Sequence, residues 1–150
     1  GVRLPERYTV SVWFFGTGAG PGRERNGFQT LCEGMNGDRI VCVHPGSKGM
    51  RRMLGAYCAT RQTFFATGMS MDQLSPHAWH HLVVICMKGE TWYYIDGENC
   101  GRLTDFQSAS PLLTVGNAAA LGEPWGTIAD FRLYPRALSA RGQVLDAHHP

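Results

Sequence analysis

His77, His80 and His81 form an H-x-x-H-H cluster ahead of an apolar run. Imidazole nitrogens in such numbers are the commonest protein ligands for a transition metal. Ligands borne on a strand must share one face, whereas successive strand side chains point to opposite faces. His80 and His81 therefore separate; we expect one to pack beneath the strand head and the other to meet solvent. Glycosidic-bond hydrolysis would need two carboxylates about 5–9 Å apart, that is, two residues or so apart along one strand. The strand-like segments carry Glu33, Asp96 and Asp130, each alone, so no such pair arises. "GTGAG" (16–20) has the glycine content of a phosphate loop, but no helical segment follows to supply an N-terminal dipole. There is no G-x-S-x-G elbow to mark a serine nucleophile. On its chemistry-bearing residues the chain is not expected to be an enzyme.

The five cysteines, Cys32, Cys42, Cys58, Cys86 and Cys100, cannot all pair within one chain, and they show no CxxC or other metal spacing. Four of them, all but Cys100, lie in apolar runs, where a thiol packs as a small hydrophobe. Reduced, packed thiols are the expectation. If a disulfide formed, Cys32 and Cys42, which flank a turn, would be the pair. Packed thiols in odd number lean towards a reducing, intracellular setting, without settling it against an extracellular one.

The elements that must position these groups are short and extended. The 150 residues suit one domain, and 43% apolar composition is ordinary for a globular chain. A net charge of +2, with 14 basic and 12 acidic residues intermixed, offers no footprint for nucleic acid. No apolar run approaches the roughly 20 residues of a membrane helix, so membrane insertion is not expected. The start "GVRLPERYTV" has no initiator Met and no apolar leader, and reads as the beginning of a piece cut from a larger protein.

Nineteen glycines arrive in clusters between β-branched and aromatic runs, the pattern of an all-β sandwich. Strands are predicted over 8–15, 27–34, 39–44, 53–60, 63–68, 79–87, 91–96, 111–118 and 126–134. In the first, Tyr8, Val10, Val12 and Phe14 take one face, and Thr9, Ser11, Trp13 and Phe15 the other. Asn36-Gly37 signals a type I′ hairpin turn. Leu82, Val84 and Cys86 alternate with Trp79, Val83 and Ile85, so this strand is expected to be covered on both sides. One short helix is predicted near 139–147, N-capped by Ser139.

A sandwich spends strand side chains on packing, which leaves binding to loops at one end or to an open sheet face. The loops 16–27, 44–52 and 117–125 would supply Arg23, Arg25, Arg51, Arg52, Asn117 and Trp125. Trp13, whose face also holds Thr9 and Ser11, would lie on the open face beside them. Arg and Trp are the residues most enriched at binding hot spots.

Three blocks carry a likeness to a known family. "YTVSVWFF", then "WHHLVVICMKGETWYYIDGE", then "LTVGNAAALGEPWGTIADFRLYPRALSA" resemble, in order and spacing, the laminin G-like (concanavalin A-like) domains. The last block is the most specific, from Trp125-Gly126 through Ser139. It departs from the family's paired acids at the first, where Ala129 stands, while Asp130 keeps the second. The resemblance implies an antiparallel two-sheet jelly-roll sandwich over residues 1–150. It also implies architectural roles: Trp79 plugging one end, Tyr94 packing across a hairpin, Asp96-Gly97 making a tight turn, and Asp130 accepting from loop amides. Calcium-binding members of such a family would draw on donors such as Asp72, Asn99, Asp105 and Asn117. These form no calcium pattern, so no cofactor is expected. The expected function is a non-catalytic recognition module docking a protein partner, with glycan binding as the alternative.

Overall fold

A computed structural model describes residues 2–16, 28–46, 51–116 and 123–138. Eleven strands occur among these residues: β1 (Tyr8–Phe15), β2 (Gln29–Gly34), β3 (Arg39–Val43), β4 (Met53–Cys58), β5 (Thr63–Ser70), β6 (Trp79–Met87), β7 (Glu90–Ile95), β8 (Glu98–Leu103), β9 (Leu112–Val115), β10 (Glu123–Pro124) and β11 (Thr127–Tyr134). One 3₁₀ turn, Met71–Gln73, precedes β6. The predicted helix near 139–147 lies outside the described residues.

The strands form two sheets. The first runs in the order β11-β1-β6-β7-β8; the second runs β10-β2-β3-β4-β5, with β9 also paired to β2. Neighbours are antiparallel except β10, which lies parallel to β2. The alternation read from β1 is realised: Tyr8, Val10, Val12 and Phe14 face the second sheet and join one core with Leu82, Val84, Tyr93, Leu31, Val41, Val43 and Leu54. Each buried aliphatic or aromatic side chain contributes roughly 1.5–3 kcal/mol. The two buried phenols at the centre are satisfied. Tyr8 donates to the Ser108 carbonyl (3.0 Å) and Tyr93 to the Ile40 carbonyl (3.1 Å).

The first sheet is covered on its outer side as well. Val83 and Ile85 pack under Leu138, with Trp92, Tyr94, Tyr134 and Ala137 around them. Thr9 secures the cover: its hydroxyl donates to the Arg136 carbonyl (2.8 Å) and accepts from the Leu138 amide (3.1 Å). A strand apolar on both faces is thus buried on both. Trp79 departs from its expected role. It heads β6 on this outer side and leans on Phe15 (5.7 Å between rings), yet it is 47% exposed and plugs nothing.

The two-residue hairpin turns Lys88-Gly89 and Asp96-Gly97 have both central residues at positive φ, as a type I′ turn requires. Asn36-Gly37 does not, which corrects the expectation. Only Gly37 has positive φ there; Gly37 bonds back to Gly34, and Gly34 to Asp38, closing a three-residue loop. The Asn36 side chain accepts from the Asp38 amide (2.8 Å) and so stabilises its own turn locally.

All five cysteines are free thiols, and Cys32, Cys42, Cys58 and Cys86 are buried. Cys32 lies opposite Val41 and Cys42 opposite Thr30, so the pair flanking the turn is out of register for a bridge. Burial pushes the Cys86 thiol up to about 12, and those of Cys32 and Cys42 higher still. Thiol labelling of the native protein near pH 8 should therefore spare Cys32, Cys42 and Cys86, which react only after unfolding. Prompt native labelling of all five would contradict this packing.

Candidate functional site

The predicted ligand residues are not brought together. Trp13 lies on the outer side of the first sheet, stacked on His81 (4.8 Å, 30°), which is itself tied to Ser11 (2.8 Å). Trp125 is 0% exposed; its ring meets Phe14 edge-on at 5.6 Å, and it belongs to the core rather than to a rim. Arg51 is exposed, but Arg52 is not a surface anchor: its side chain is 12% exposed and bonds Asp72 Oδ1 (2.8 Å) and Gln29 Oε1 (2.6 Å). Arg23, Arg25 and Asn117 lie outside the described residues.

The candidate calcium donors are already engaged. Asp72 accepts from Arg52, Asp105 from Arg61 (3.1 Å), and Asn99 Oδ1 from the Gly101 amide (2.8 Å). Among the described residues no group of three or more His, Cys, Asp or Glu is placed to hold a metal. Asp130, at positive φ where β11 slips register against β1, accepts from the Arg132 guanidinium (3.0 Å) rather than from loop amides.

The H-x-x-H-H cluster divides as strand geometry demands, but neither strand histidine meets solvent. His81 engages Ser11 and Trp13 outside the first sheet, and His80 turns inward beside Phe14 (5.6 Å). Asp96 then clasps the strand head. Its Oδ2 meets His80 Nδ1 (2.8 Å), its Oδ1 accepts from the His81 amide (2.9 Å), and its own amide donates to the His81 carbonyl (2.8 Å). The histidine block at the head of β6 and the Asp-Gly at the foot of β7 are therefore two halves of one fastening.

The second sheet carries a surface that the sequence reading missed. Thr30, Cys42, Gly55 and Ala66 lie in register across β2, β3, β4 and β5, forming a row of small residues. Two residues along from each stands a ring: Phe28, His44, Tyr57 and Phe64. The rings close over the small row. Phe28 is 5.4 Å from Phe64 (stacked), 5.3 Å from Tyr57 and 5.7 Å from His44, and His44 is 5.3 Å from Phe64. The tip of Phe64 lies over Gly55, where even a Cβ would approach Phe64 Cζ to 2.9 Å. All four rings remain half-buried rather than enclosed. The clue was legible as ring-x-small or small-x-ring in four consecutive strands, but period-2 alternation does not say which face is open.

Polar groups border this platform. The Arg39 guanidinium lies over the Phe28 ring (5.4 Å) and donates to Thr30 Oγ1 (2.9 Å). His44 Nδ1 accepts from the Gly46 amide (3.0 Å), which places the proton of a neutral ring on Nε2. Burial holds His44 below the ordinary histidine range, so the neutral form prevails at pH 7. The platform thus combines flat apolar area with a guanidinium and an imidazole N–H.

Domain 4 of AbnA, a GH43 extracellular arabinanase from Geobacillus stearothermophilus solved with arabinotriose, aligns with a TM-score of 0.64. The identity is 21%, over 97% of this chain and 70% of that one. The heptameric SAP-like pentraxin of Limulus polyphemus aligns at 0.62, with 18% identity, over 97% and 72%. Sheep galectin-11 in complex with glycerol aligns at 0.58, with 10% identity, over 88% and 92%. At these identities the likeness is one of fold. No curated protein matches the chain in sequence. The family model described as the concanavalin A-like lectin/glucanases superfamily matches residues 2–141, and the chain belongs to that family.

Proposed function

We propose that the protein is a non-catalytic recognition module whose ligand is a glycan, bound on the aromatic platform of the second sheet. The observation that carries this reading is the ring-over-small-residue floor of Phe28, His44, Tyr57 and Phe64. Ring faces suit the apolar face of a sugar, and a bordering N–H and guanidinium suit its hydroxyls. The arabinanase domain solved with arabinotriose shares the fold and supports a sugar ligand. The acids that could do hydrolytic chemistry are otherwise committed: Glu33 is buried, Asp96 clasps β6, and Asp130 pairs with Arg132. A protein partner is the second reading, favoured by the exposed Trp79 beside Phe15 on the opposite sheet.

A glycan array followed by calorimetry tests the first reading. Phe64→Ala should remain folded and weaken the selected glycan by about tenfold, equivalent to about 1.4 kcal/mol, near the upper end for one aromatic contact. A Trp79→Ala variant should bind that glycan as the parent does. Binding lost with Trp79 and kept without Phe64 would move the site to the other sheet.

A further inference from the structure

We propose that His80 is a pH-sensitive latch on the segment leading into β6: its doubly protonated ring holds the Ser75 carbonyl to the Asp96 turn, and loss of one proton releases that segment. The geometry is unusual in that both ring nitrogens face groups that can only accept. Nδ1 lies 2.8 Å from Asp96 Oδ2 and Nε2 lies 2.9 Å from the Ser75 carbonyl oxygen. A neutral imidazole has one N–H and one lone pair, so it can satisfy one of these acceptors and must turn a lone pair on the other. The imidazolium satisfies both. The His80 side chain is 10% exposed, so water has little room to substitute for a lost bond.

The surroundings define what the latch feels. From the β7–β8 turn, Asp96 supplies the negative charge; on β8 beyond it, Glu98 and Cys100 neighbour Asp96. From β1 the uncharged Phe14 ring packs 5.6 Å away. His81, next in sequence, is occupied with Ser11 and Trp13, and His77 is exposed in the latched segment itself. Burial alone would lower the titration of His80. The Asp96 bond, the Ser75 bond and the Asp96 charge outweigh it, and the net direction is upward from 6.5. A folded value above the unfolded one means the stabilisation is complete below about 6.5 and is lost as pH rises through the folded value.

What the latch secures matters for the same end of the molecule. The segment between Asp72 and Trp79 begins with the carboxylate that holds Arg52, and Arg52 in turn bonds Gln29, next to Phe28. Release would first loosen the Ser75 end, where no strand pairing restrains the chain.

Nuclear magnetic resonance on ¹⁵N-histidine-labelled protein, titrated from about pH 5.5 to about pH 9, reads the latch directly. The expected result is that His80 carries protons on both nitrogens at pH 6.5 and titrates above His44. The Ser75 carbonyl carbon should shift with the same midpoint. Amide exchange over 74–79, corrected for the intrinsic rate, should accelerate about tenfold across that midpoint. His80→Gln should remove the pH dependence of both signals. Asp96→Asn, which keeps a residue tolerant of positive φ at the turn, should bring the midpoint down. A neutral His80 tautomer at pH 6.5, or a Ser75 signal unmoved while His80 titrates, would overturn the proposal.

Discussion

Replacing Asp38 with alanine should lower the unfolding free energy by about 3–5 kcal/mol, the sum of two charge-assisted hydrogen bonds to a buried carboxylate. Asp38 is 5% exposed although it sits beside a hairpin turn. Its Oδ1 accepts from the Ala59 amide (2.8 Å) and its Oδ2 from the Ser108 hydroxyl (2.8 Å). The Ser108 carbonyl in turn accepts from the Tyr8 phenol in the middle of the core. One side chain therefore ties the β2–β3 turn to the β4–β5 turn and to the segment after β8. Alanine leaves a part-buried amide and a buried hydroxyl without their acceptor. Asp38→Asn, which can still accept at one oxygen, should lose about half as much. Urea denaturation monitored by intrinsic fluorescence, with the slope unchanged between variants, measures both. A loss under about 1 kcal/mol for Asp38→Ala would mean that the turn relaxes to meet water.

Gly55→Ala should cost about 3 kcal/mol or more and should disturb the aromatic platform with it, the outcome expected of overpacking against backbone. A Cβ at Gly55 would sit 2.0 Å from the Phe65 carbonyl oxygen and 2.9 Å from Phe64 Cζ. The first neighbour is backbone of the adjacent strand and cannot swing aside, so β4 and β5 would have to part. Gly89→Ala is the control. It too meets a conformational cost, since its φ is +77°, but nothing lies within 4 Å of the added methyl. That variant should lose roughly 1–2 kcal/mol and leave the platform intact. Equal losses for the two would show that the crowding at Gly55 is relieved by a shift too small to matter.

Alternation was enough to read β1 and β6. The apolar period of 2 in β1 and the double-sided apolar run of β6 reflect burial on one or both faces, and burial is a property that neighbouring residues record directly. The Asp96-Gly97 turn was expected from the family resemblance, and both of its central residues stand at positive φ. Asn36-Gly37 misled: glycine at the end of a three-residue loop looks the same as glycine in a two-residue one. The strand β8 escaped notice because "ENCGRL" has few apolar residues; it is an edge strand whose stability comes from pairing with β7.

The candidate site followed the opposite rule. Trp13, Trp79 and Trp125 are alike as residue types, yet Trp125 is enclosed, Trp79 is exposed and Trp13 stacks on a histidine. Arg51 and Arg52 are adjacent and differ as sharply. Which aromatic is core and which is surface depends on what lies across the sandwich, and that is set by contacts many tens of residues away. Phe28, His44, Tyr57 and Phe64 stand on or directly beside four separate strands, and only the register between those strands places their small neighbours in one row. Local side-chain pattern is written residue by residue and survives in the chain; the meeting of four strands is a long-range arrangement, fixed when the two sheets pair and pack.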